Sequence, residues 1–78
     1  MVTSKQNVAA AARIKRLIRC RRTLRYVKGD GWTSDPNEAQ TFDYAIDAAR
    51  VCIDRGLIDV ELVLRAPEAG ELISTPIR

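Results

Sequence analysis

Residues 14–28 read IKRLIRCRRTLRYVK, and whether this stretch is helix or strand decides the fold. As a helix, it puts Ile14, Leu17 and Ile18 on one narrow apolar stripe that runs into Arg21. As a strand, it puts Ile14, Ile18 and Cys20 on one side with Arg16 between them. Periodicity leaves both open for 14–20. The continuation TLRYVKG favours a strand over 23–28, because Leu24 and Tyr26 would share one face and Arg25 and Val27 the other. Upstream, the alanines of VAAAAR favour a helix over about 5–12. An N-terminal helical or extended basic segment is therefore expected ahead of the 23–28 strand, with residues 1–7 flexible.

Downstream, the turn signals are clearer. Asp30–Gly31 is a tight-turn dipeptide, since glycine accepts positive φ without a Cβ clash. In SDPNEA, Asp35 suits an N-cap, Pro36 the first helical position and Glu38 the far end of a capping box. A short helical turn at 36–40 is the expectation. Residues 43–55, DYAIDAARVCIDR, form the most distinct element. Phe42, Ile46, Ala49, Cys52 and Ile53 recur at helical spacing, while Asp43, Asp47, Arg50 and Asp54 form the opposite, wet stripe. Asp43 suits the positive end of the helix dipole, and Gly56 suits the C-terminal stop.

DVELVLR then alternates as a strand, with Val60, Leu62 and Leu64 on one side. ELIST reads as a last edge strand closed by Pro76. These elements predict one small α+β domain spanning 1–78. Its antiparallel sheet has three to four strands, 23–28 and 60–65 with 14–20 and 71–75 as further members, and helix 43–55 covers one face. Ile46, Ala49, Ile53, Leu62 and Leu64 are the expected common core.

The net charge of +3 hides a division. Residues 1–28 carry nine lysines and arginines and no acid, whereas residues 29–78 carry all ten acids and a net charge of −6. Such an asymmetry suits an anionic partner, or an acidic surface of the same fold or of a second copy. The longest uncharged apolar run, Val8 to Ala12, is far short of the ~20 residues a spanning helix needs. The N-terminus lacks the apolar stretch of an export signal, so the expected location is the cytoplasm, with Cys20 and Cys52 reduced. Cys20, among arginines, is the thiol more apt to react.

Little here points to chemistry. The chain has no histidine, which removes the usual general base and the commonest metal ligand. GDG lacks the pattern and the strand-to-helix setting of a phosphate loop. Asp30, Asp35 and Glu38 do not have the spacing of a calcium loop. Asp43 and Asp47 read as a solvated helix face. No catalytic residue, metal or cofactor is expected, and no enzymatic activity.

The leading expectation is a protein–protein interaction or self-associating module. The alternative is a nucleic-acid-binding accessory protein using segment 13–28. Its candidate residues are Arg13, Lys15, Arg16, Arg19, Arg21, Arg22, Arg25 and Lys28, with Tyr26 and Trp32 as stacking platforms. No single-stranded-RNA signature is present. Trp32, the chain's one tryptophan, can also anchor a protein partner. With only four aromatic residues available, it is expected to close the core over the end of the helix.

Overall fold

The computed structural model describes residues 14–78. The 5–12 helix, the flexible 1–7 segment and Arg13 lie outside the described residues. The described chain is α+β. Five antiparallel strands form one sheet: β1 (Lys15–Cys20), β2 (Tyr26–Lys28), β3 (Gly31–Thr33), β4 (Val60–Ala66) and β5 (Gly70–Pro76), with helix α1 (Ala45–Asp54) between β3 and β4. The strand order is β3-β2-β1-β4-β5.

Residues 15–20 are a strand, and it is the central one. β1 pairs residue for residue with β4, from Lys15 opposite Arg65 to Cys20 opposite Val60. Its adjacent Leu17 and Ile18 are both fully buried. Neighbours on a strand point to opposite sides, so both faces of the sheet are covered here. On the helix side, Ile18, Val27 and Val60 pack with Phe42, Ala48 and Cys52. On the far side, Leu17, Tyr26 and Val63 pack together under Ala39.

The second strand is shorter than the expected 23–28. β1 and β2 meet at Arg19 opposite Tyr26, and the connecting turn closes through Leu24 N–H to Cys20 O and Cys20 N–H to Arg25 O, both 2.8 Å. Leu24 takes a left-handed φ of 62° and is exposed, so it belongs to the turn and shares no strand face with Tyr26. The next hairpin adds β3, a fifth strand that three residues of GWT do not announce. Gly29, at φ 56°, supplies the positive φ of this turn, one step before the Asp30–Gly31 pair.

Residues 34–42 carry the chain from the far side to the helix side. Asp35 caps the turn as expected, its Oδ1 accepting from Asn37 N–H at 2.8 Å, but Glu38 reaches Lys28 and does not close a capping box. Past Ala39, the chain fills the gap where β1 and β2 diverge. Gln40 N–H donates to Val27 O and Phe42 N–H to Arg16 O, each at 2.9 Å.

Helix α1 is shorter than 43–55 and turns a different face inward. Ala48 and Cys52 are fully buried, whereas Ile46 and Ile53 are 61% and 65% exposed. Ala49, Leu62 and Leu64 are half-buried, so the expected five-residue core does not form. Small residues are needed at this contact: Ile18, Val27, Val60 and Phe42 already fill the layer from the sheet side. Asp43 lies before the helix, whose N-cap is Tyr44 without a side-chain cap bond. The C-terminus ends as the sequence requires. Gly56, at φ 65°, donates to Ile53 O at 3.1 Å and Leu57 N–H to Cys52 O at 2.8 Å, the paired bonds of a Schellman motif.

Candidate functional site

The described part of the basic segment, residues 15–28, does not converge on one surface. Alternation along β1 puts Lys15 and Arg19 on the far side and Arg16 on the helix side. Arg16 Nη1 donates to Asp43 O at 3.0 Å. Arg21 and Arg22 lie in the β1–β2 turn, each 3.8 Å from a carboxylate oxygen of Asp59. Arg25 is exposed beside them, and Lys28 pairs with Glu38 at 2.7 Å.

Arg19 is the most heavily engaged. Its Nε donates to Glu61 Oε2 at 2.7 Å, and Nη1 and Nη2 donate to the two oxygens of Glu71 at 2.7 and 3.2 Å. Nη1 also approaches Tyr26 Oη at 3.5 Å, with the guanidinium carbon 5.9 Å from the ring centroid. The register explains this cluster. Arg19 is directly opposite Tyr26 on one neighbour and Glu61 on the other. The Glu71 bond holds the guanidinium pKa above its ordinary value, against the opposing effect of burial, with Glu61 and Tyr26 adding to it. The same bond lowers the Glu71 carboxyl. This is one satisfied, partly buried ionic network within the fold.

The two aromatic candidates lie apart. Tyr26 is buried on the far side beneath Arg19. Trp32 pairs with Val27 and so lies on the helix side, at the sheet's outer strand. Trp32 is 38% exposed and outside the buried cluster, so it does not close the core as expected. The end of the helix is tied to that hairpin by Arg55, whose Nη1 and Nη2 donate to Gly29 O and Asp30 O at 2.8 and 2.9 Å.

Sequence reasoning missed the apolar surface next to the helix. Ile46 and Ile53 of α1 are exposed, as is its N-cap Tyr44. On the same side of the sheet, Leu62 and Leu64 are half-buried and Ile73, opposite Leu64, is exposed. The signal in the sequence is the Ile46–Ala49–Ile53 stripe, which lies on the outward face of the helix and not on the expected inward one.

Of the two thiols, Cys20 is the more readily ionised. Its pKa is lowered, first by a hydrogen bond with Thr23 and then by the neighbouring backbone and Arg22, while burial raises that of Cys52. Among the described residues, no group of acids and cysteines is placed to hold a metal ion, and no helix is long and apolar enough to cross a membrane. Comparison of the chain with protein-family models, with curated proteins and with solved structures returned no match.

Proposed function

We propose that this protein is a non-enzymatic interaction module that self-associates through the outer face of α1 and the neighbouring β4–β5 surface. The observation that carries the proposal is the exposure of Ile46 and Ile53 on the outer face of α1, together with exposed Ile73 and half-buried Leu62 and Leu64 on the helix side of the sheet. Isolated exposed apolar residues are ordinary, but several large ones on one side of a small domain favour a surface that is covered by association. Among the described residues, eight large apolar side chains are exposed, against nine buried apolar residues that include only one alanine and one cysteine. A core this small favours burial by association.

A second copy is the occupant that suits the pattern. Ile46, Ala49 and Ile53 form a stripe with a small residue near its middle. Antiparallel pairing about a two-fold axis sets Ile46 against Ile53 of the other copy, and the alanines allow close approach. The acids outside the stripe, Asp43, Asp47 and Asp54, then lie at the rim beside Arg50.

The test is mass by light scattering from micromolar to millimolar concentration. A concentration-dependent dimer is expected, and Ile46→Asp with Ile53→Asp should leave a folded monomer. A wild-type protein that stays monomeric throughout rejects the proposal. The alternative, nucleic-acid binding by segment 13–28, draws its support from the exposed Arg21, Arg22 and Arg25 at one turn. It requires oligonucleotide affinity that falls steeply with salt, with a log–log slope of about 0.9 per duplex phosphate contacted.

A further inference from the structure

On the far side of the sheet, Lys15 of β1 is directly opposite Arg65 of β4. Like charges in this position repel, because directly opposed side chains start from Cβ atoms only about 5 Å apart. Neither cation has an ion pair within 4 Å among the described residues, and Arg65 feels an acid only through the longer-range attraction of Glu71. Glu71, opposite Arg65 on the other flank, gives both its oxygens to Arg19. The two cations instead line a shallow cavity of about 80 Å³, together with Leu17, Pro36, Asn37 and Pro67. By that measure a single water needs about 10–15 Å³, so the space admits a group of several heavy atoms.

The cavity has the composition of a binding site. Leu17 is buried and gives it an apolar floor, and the two prolines give it stiff walls. Arg65 brings a planar fork of donors and Lys15 a mobile point charge, two ways of gripping an oxyanion. Asn37 adds a neutral donor. Its backbone N–H is committed to Asp35, and its side-chain amide has no hydrogen-bond partner among the described residues. The loop presenting Asn37 is fixed to the sheet by Ala39 and by the Gln40–Val27 bond, so the site is pre-formed.

We propose that Lys15, Arg65 and Asn37 form a binding site for a compact oxyanion, the phosphate or carboxylate group of a small molecule. The site is separate from the apolar surface on the helix side and does not depend on self-association. The repulsion between Lys15 and Arg65 is the stability given up to keep the site ready, and the bound anion relieves it.

The test uses the whole chain, labelled for NMR, titrated with inorganic phosphate and separately with succinate, each against sodium chloride at matched ionic strength. Saturable shifts at Lys15, Asn37 and Arg65 are expected with at least one of the two anions, and the anion that saturates identifies the group recognised. Lys15→Met and Arg65→Met should each weaken binding at least tenfold. In low salt without ligand, Lys15→Met should raise the melting temperature, which separates loss of the site from loss of the fold. Shifts that merely follow ionic strength overturn the proposal. So does binding that survives both substitutions, or binding that disappears only on replacing Arg22 and Arg25 in the β1–β2 turn.

Discussion

On the helix side of the sheet, Ile18, Val27 and Val60 meet Ala48, Cys52 and Phe42 in an all-apolar cluster. On the far side, the same strands place Arg19 among Glu61, Glu71 and Tyr26, next to a smaller patch of Leu17 and Val63. One face is held by exclusion of water, which is indifferent to direction. The other is held largely by directed, charge-assisted hydrogen bonds, whose partners must be exact in register. The difference teaches how a sheet with so few large apolar residues covers both sides: the helix takes the apolar share, and the far side is completed by an ionic network and the 34–40 loop.

The largest expected effect breaks the helix side. Ile18→Ala removes a fully buried side chain from the middle of the central strand and should cost about 2–5 kcal/mol. That is a large share of the stability of so small a domain. Ile53→Ala, on the exposed face of α1, should change it by no more than about 0.5 kcal/mol in the monomer. Urea midpoints of the two variants, measured in dilute solution, decide the matter. Equal losses would mean that Ile53 is buried and that α1 packs through its isoleucine stripe after all.

This contrast also shows what was legible in the sequence. The period of 43–55 correctly identified a helix, and Gly56 correctly ended it. The stripe of largest side chains, however, was not the buried one. Amphipathicity weighs each residue by its own hydrophobicity and knows nothing of what faces it. Here the sheet supplies the bulk, so the helix must supply Ala48 and Cys52. The ambiguity at 14–20 has the same origin. Leu17 and Ile18 are both buried on a strand covered from two sides, which alternation cannot signal. The Arg19–Glu61 pair depends on register across 42 residues of chain, and nothing local in either segment encodes it.

A second effect, smaller but of a different kind, breaks the far side. Arg19→Met leaves Glu61, whose side chain is only 12% exposed, without its cation. Leaving a part-buried polar group without its partner costs about 1–3 kcal/mol, below the figure for a fully buried pair. Arg19→Met with Glu61→Met should cost less than Arg19→Met alone, because no stranded charge remains. The two faces also respond differently to acid. Glu71 has a lowered pKa in the folded protein, from an ordinary value of 4.5, because it accepts from Arg19. Its contribution is therefore fully present above the unfolded value and is lost as pH falls through the folded one. Denaturation measured from neutral pH into the acid range should show the wild type losing its advantage over Arg19→Met below about pH 4.5, whereas the Ile18→Ala deficit should stay nearly constant. A gap between wild type and Arg19→Met that does not change with pH would mean that the arginine acts through packing of its stem alone.

The smallest effect sharpens the comparison within the far side itself. Lys28–Glu38 and Arg19–Glu61 are both 2.7 Å ion pairs, and distance alone would rank them equal. Their surroundings differ. The side chains of Lys28 and Glu38 are 53% and 56% exposed, so both charges keep most of their hydration whether or not they touch. Water and salt screen their attraction, and holding two long side chains in one geometry costs rotamer freedom. The 34–40 loop is fixed by other means: Ala39 packs on Leu17, Tyr26 and Val63, and the backbone of Gln40 donates to Val27. Glu38→Gln keeps a neutral acceptor for Lys28 and should move stability by about 0.5 kcal/mol or less. Raising the salt concentration should erase even that difference, while the cost of Arg19→Met persists because its partner is shielded from solvent. The measurement is the urea midpoint of each variant at low and high salt. If Glu38→Gln were as harmful as Arg19→Met, burial would not be what separates the two pairs, and the loop would owe its position to a charge at the surface.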